Sequence, residues 1–109
     1  MKLFLKRKNN AVNAIADYDP INKKFTVLKG SIVSENIAYS TTFRGAKSIE
    51  KTRGDGAVID RILTKDIIFK SPSTAANFVT GASTNGLTAW KDNNGKTLKV
   101  ILVEEENYE

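Results

Sequence analysis

The chain of 109 residues predicts an α+β fold, a small, mainly antiparallel β-sheet covered by two or three short helices. Three observations predict it. Stretches of apolar and polar alternation joined by turn signals fill the first third of the chain. The best-punctuated helix, from Ser71 to Gly81, comes only after these strands. The regular strand–helix alternation of a parallel sheet is absent. A chain of this length fits one domain and can bury a modest core without staples. The expected limits are a globular domain over residues 1–103 and an acidic tail over 104–109.

Residues 2–8 read as a strand in which Leu3 and Leu5 alternate with Lys2, Phe4 and Lys6. Asn9-Asn10 marks a turn. In a second strand Val12, Ala14, Ala16 and Tyr18 share one face. Asp19-Pro20-Ile21-Asn22 is a turn signal, because proline presets φ and the Asp and Asn side chains bond the local backbone. Phe25 and Val27 then face inward from a third strand, which should pair with the second as a hairpin. Gly30-Ser31 marks a bulge or bend before Ile32 and Val33. Residues 34–42 are polar and irregular. Ala46 to Thr52 is a candidate helix ended by Gly54-Asp55-Gly56. Ala57–Ile59, Ile62-Leu63 and Asp66–Phe69 read as short strands. Ser71 is a helix cap, Pro72 a helix starter, and Gly81 the left-handed residue that stops the helix. Asn85-Gly86 and Asn93-Asn94-Gly95 are turns. Leu87 and Trp90 fit a short helical turn aimed at the core. The segment around Leu98, Ile101 and Leu102 suits a final helix, although Val100, Ile101 and Val103 would also suit a strand.

Hydrophobic residues make up 40% and charged residues 27% of the chain, which fits a folded globule rather than a disordered one. There is no cysteine and no histidine. Disulfides, thiolate metal sites and the commonest general base are therefore excluded. No stretch has the ~18 apolar residues of a membrane span, and the short mixed start before the basic N-terminal cluster is unlike a secretory signal. A cytoplasmic protein is the expectation. Net charge is +5, but Glu104, Glu105, Glu106 and Glu109 lie in the last six residues. Residues 1–103 thus hold all 17 basic residues against 8 acids, a balance of +9. A body so basic attracts polyanions, nucleic acid being the commonest; the plainer alternative is that the lysines serve solubility.

From residue 66 the chain carries Asp66, Phe69, Ser71-Pro72-Ser73, Thr74, Ala75-Ala76, Val79, Gly81, Ser83, Asn85-Gly86, Trp90-Lys91, Gly95 and Leu98. Upstream, Phe25 to Ser31 ends in Lys29-Gly30-Ser31. In this order and spacing, residues 24–98 resemble an uncharacterised bacterial domain family of unknown function. That family occurs alone or behind other domains, including nucleases of the GIY-YIG type. It is also similar to a short module associated with restriction enzymes and adenine methylases. Leu87 departs from the pattern, where related sequences often carry tryptophan or arginine. The resemblance implies a neighbourhood of DNA-processing proteins, and a nuclease or restriction–modification protein as partner. It implies no activity.

The candidate nucleic-acid-binding residues are Arg44, Lys47, Lys51, Arg53, Lys70, Ser71, Ser73, Asn85, Trp90 and Lys91. Arg44, Lys47 and Lys51 share a helical face and make either a phosphate-contacting stripe or a solvated surface. Ser71 and Ser73, beside Lys70, stand at a helix N-terminus that offers free amides to a phosphate; capping is the simpler role. Trp90 offers a stacking face for a base or else fills the core. Asn85 reads a base edge or merely builds a turn.

Catalysis by this chain is not expected, and no cofactor is called for. Asp55, Asp60 and Asp66 are not joined by any carboxylate motif, and Gly54-Asp55-Gly56 lacks the Gly-Lys-Ser/Thr ending of a phosphate-binding loop. The leading expectation is a non-catalytic module that binds DNA or RNA through the phosphate backbone. A protein-interaction or scaffold module without nucleic-acid binding is the alternative, and a divalent-metal hydrolase is a weaker third.

Overall fold

Period-two alternation builds the first strand, β1 (Lys2–Arg7), with Leu3 and Leu5 fully buried and Lys2 and Lys6 exposed. The same alternation in β2 (Val12–Asp19) buries Val12, Ala14 and Ala16, and in β3 (Lys24–Val27) it buries Phe25 and Val27. The computed structural model describes residues 1–7, 11–39, 43 and 45–106. The Asn9-Asn10 turn and Arg44 lie outside them, as do residues 107–109.

β1 pairs antiparallel with β2, setting Leu3 opposite Ala16 and Phe4 opposite Ile15. β2 pairs with β3, and β3 with β6 (Ile67–Phe69), both antiparallel, so the sheet order is β1-β2-β3-β6. The Asp19 turn between β2 and β3 forms as its residues dictate. The Asp19 carboxylate accepts from the Ile21 and Asn22 amides and from the Asn22 side chain, at 3.1, 3.2 and 2.7 Å.

Gly30-Ser31 is a bend after which β2 regains a partner. The Ser31 hydroxyl, 2% exposed, accepts from the Ile15 amide at 3.0 Å and donates to the Ile15 carbonyl at 3.3 Å. Ile32 then pairs with Asn13 through two 2.9 Å backbone bonds. A side chain thus serves the Ile15 amide where the strand ladder ends, as buried backbone groups require. Ile32 also bridges to Ile62 in a second, two-stranded sheet of β4 (Val58–Ile59) and β5 (Ile62–Leu63). The turn joining β4 and β5 places Asp60 and Arg61 at φ of 52° and 69°, the backbone of a tight hairpin usually built from Asn-Gly. Arg61 holds this conformation by donating from its side chain to the Ala11 carbonyl at 2.7 Å and to the Val33 carbonyl at 3.3 Å.

The helices are α1 (Ala46–Arg53), α2 (Pro72–Thr80), α3 (Gly86–Ala89) and α4 (Leu98–Glu106). Among the described residues there are four where two or three were expected, because both the Leu87 turn and the C-terminal segment are helical. α2 has the punctuation read from its sequence. The Ser71 hydroxyl accepts from the Thr74 amide at 3.1 Å, and Gly81 closes the helix at φ 73°. Its apolar face, with Ala75, Ala76, Phe78 and Val79, packs on the buried side of the sheet, where Phe78 meets Phe69 at 5.1 Å between ring centroids. α4 runs through Glu106, so three of the four clustered glutamates belong to a helix rather than to a tail. Lys96 holds the first of them, Glu104, in a 2.8 Å ion pair.

The core lies between the sheet and the helices, centred on Trp90, Phe25 and Leu98. The opposite sheet face presents Lys2, Phe4, Lys6, Ile15, Lys24 and Ile68, all half-buried or exposed. Among the described residues, no helix is long and apolar enough to cross a membrane.

Candidate functional site

The nine described residues among the ten predicted for the site do not share one surface. Lys47 and Lys51 are exposed on α1, beside Glu50 and Asp55, which also line their surface hollow. The α1 face is thus mixed in charge rather than a basic stripe. Arg44 lies outside the described residues. Lys70 follows β6, at one edge of the sheet, whereas Lys91 pairs against β1 at the other.

Five of the ten are committed to internal structure. Arg53 points inward: its guanidinium donates to the Ser34 carbonyl at 2.8 Å, the Ser34 hydroxyl at 3.0 Å and the Phe78 carbonyl at 2.5 Å. It also lies over the Phe78 ring, 5.6 Å from the centroid. Burial pushes its pKa down to about 10, and its Nε has no partner among the described residues. Arg53 is therefore a clamp between the Ser34 loop and α2, which corrects its reading as a nucleic-acid-binding residue. Trp90 is 0% exposed and packs 4.9 Å from Phe25, so no base can stack on it; here too the nucleic-acid assignment is corrected, and the core role stands.

Ser71, Ser73 and Asn85 belong, with Trp90, to one joint between α2 and α3. The Ser73 hydroxyl accepts from the Gly86 amide at 3.0 Å, and the Trp90 indole donates to the Pro72 carbonyl at 3.0 Å. Asn85 caps α3 by accepting from the Leu87 amide at 3.0 Å. Gly86 lies so close to Pro72 that a Cβ there would stand 2.3 Å from the Pro72 carbonyl carbon. The motif Ser-Pro-Ser…Asn-Gly…Trp is thus explained by packing, without a ligand. The Ser71 hydroxyl is already engaged with both the amide and the hydroxyl of Thr74.

Lys91 opens onto a cavity with two other cations. Its backbone pairs with Phe4 through bonds of 2.7 and 2.9 Å, which brings residue 91 beside the free edge of β1. A cleft of about 320 Å³ forms there, lined by Phe4, Lys6, Arg7, Ala89 and Lys91 among others. Phe4 gives it an aromatic wall, with the Lys6 ammonium 5.8 Å from the ring centroid. Among the described residues, Lys6, Arg7 and Lys91 form no ion pair. The one acid in the lining, Asp92, is occupied: one of its oxygens accepts from the Asn94 and Lys96 amides, both at 2.9 Å, and so shapes the 92–96 turn. Three cations and an aromatic face converge where only one carboxylate, itself engaged, opposes them. Arg7 also borders a second, wider hollow that reaches Ser34, Arg61 and Thr84.

Lys6 and Arg7 were not among the predicted residues. Their signal was in the sequence: Lys6-Arg7-Lys8 is the chain's only run of three consecutive basic residues. The alternation of Leu3 and Leu5 drew attention to the strand's buried face instead. Among the described residues no group of three acidic, histidine or cysteine side chains is placed to hold a metal ion.

No curated protein and no solved structure gives a significant match to the chain. Residues 5–102, from β1 into α4 and so including the α2–α3 joint and the cleft apart from Phe4, match one family profile, and by that match the chain belongs to the family described as a domain of unknown function, DUF4357.

Proposed function

We propose that this domain is a non-catalytic accessory module that binds the phosphate backbone of nucleic acid. The observation that carries the reading is the convergence of Lys6, Arg7 and Lys91 on one cleft, without ion-pair partners among the described residues. Cations without an ion-pair partner among the described residues, beside an open cavity, suit backbone contact, which needs charge and reach rather than a fixed donor pattern. The excess of basic residues over residues 1–103 adds long-range attraction. The resemblance to domains that accompany nucleases and modification enzymes favours a role beside such an enzyme.

Fluorescence anisotropy with labelled duplex and single-stranded DNA at low and moderate salt tests the proposal. Binding at low salt that weakens steeply with added salt is the expected result, because neutralised phosphates release counterions. Absence of binding at low salt rejects it.

One feature favours a second reading, a protein-docking module. Ile59 and Ile62 sit opposite one another in the β4–β5 hairpin and are 57% and 46% exposed. A concentration-dependent dimer in sedimentation, lost in Ile59→Lys, supports that reading; a monomer at all concentrations removes self-association from it.

A further inference from the structure

We propose that the β1-edge cleft takes one unpaired nucleotide, so that the domain prefers single-stranded nucleic acid, or a frayed end, to intact duplex. This rests on the phosphate-binding reading and specifies its substrate class.

The argument begins with Phe4. It lies on the sheet face opposite the core, is half-buried, and lines the cleft together with the three cations. Its direct cross-strand neighbour is Ile15, so the ring rests on an apolar support. On the other side the Lys91 backbone pins the Phe4 backbone from both directions, which fixes the ring's starting point. An aromatic face beside a basic groove is the arrangement with which proteins hold single strands: the ring stacks on a base, and the cations track the phosphates. A duplex cannot use it, because both faces of each internal base are covered by the neighbouring pairs.

Size points the same way. At about 320 Å³ the cleft lies at the small end of the ~300–1,000 Å³ range of ligand pockets. It has room for one base and its phosphate, not for a stretch of double helix. Ala89 and Phe4 give the cavity an apolar part, and Lys6, Arg7 and Lys91 give it a charged part. A nucleotide has that same division.

The test compares a short mixed-sequence DNA strand with the same sequence fully paired in a hairpin that is closed by a non-nucleotide linker and ends in G·C pairs, both labelled, at one low salt concentration. The strand should bind about tenfold or more tightly than the hairpin, the range expected when one base gains an aromatic stack. Phe4→Leu keeps apolar volume but removes the π face. It should weaken strand binding by about tenfold and leave hairpin binding unchanged. The emission of buried Trp90 reports whether the variant is folded. Equal or tighter binding of the hairpin overturns the inference while leaving the phosphate-binding reading in place, and so does a Phe4→Leu variant that binds the strand as well as the parent. Failure of both probes to bind rejects the phosphate-binding reading itself.

Discussion

At the scale of single residues, two charged groups do opposite work. Arg53 is drawn inside and serves three oxygens with its fixed fork of donors. Lysine cannot reproduce that fork, so Arg53→Lys should lower stability by about 1–3 kcal/mol, the order expected for lost charged hydrogen bonds. Urea unfolding followed by Trp90 fluorescence measures it, and an unchanged midpoint would show that the clamp contributes nothing. Asp19 stays at the surface, where bonds from the Asn22 side chain foremost, and then from the local amides, hold its carboxyl below its ordinary value of 3.8. A depressed folded-state pKa means stability that is present above pH 3.8 and lost as pH falls through the folded value. Asp19→Asn should therefore flatten this part of the acid-unfolding curve, read from melting temperatures between neutral and acid pH. An acid limb as steep as the parent's would show that the turn carboxylate is not its source.

At the scale of elements, the joint between α2 and α3 explains why so specific a motif carries no visible chemistry. Ser73, Gly86, Pro72 and Trp90 lock two helices together through two hydrogen bonds and a close backbone approach. Trp90→Phe removes the bond to Pro72 and part of the buried ring, and should cost about 1–3 kcal/mol or more, since it leaves the carbonyl unpaired and a gap in the core. Gly86→Ala should cost about as much or more, because its Cβ meets backbone rather than a side chain that can swing away. Melting temperatures of the two variants check both, and a Gly86→Ala protein as stable as the parent would contradict the close approach.

The elements were largely legible in the sequence because their signals are local. Alternation buried Leu3, Leu5, Ala14 and Ala16, while Ser71, Pro72 and Gly81 bracketed α2 within nine helical residues. The hairpin at Asp60-Arg61 was not legible as a tight turn, since its unusual backbone is held by bonds from the Arg61 side chain to residues far along the chain. The same reason hid the role of Arg53. Its partners, Ser34 and Phe78, are 19 and 25 positions away.

At the scale of the whole molecule, surplus positive charge says that an anion is attracted but not where. Helical spacing pointed to α1, and the fold offsets Lys47 and Lys51 there with Glu50 and Asp55. The cleft instead joins β1 to a segment beginning at residue 88, a pairing that no local pattern announces. Lys91 was identified from the motif, whereas the basic run at Lys6 and Arg7 gained a partner only with the sheet order.

Charge reversal at the two places tests the account most directly. The salt dependence of single-strand affinity should have a log–log slope of about −2 if three phosphates are neutralised. Reversing Lys6, Arg7 and Lys91 to glutamate should abolish binding, while reversing Lys47 and Lys51 should leave the affinity within about twofold and the slope unchanged, as for residues that touch no phosphate. Loss of binding from the α1 variant, with the cleft variant binding as the parent does, would contradict the account.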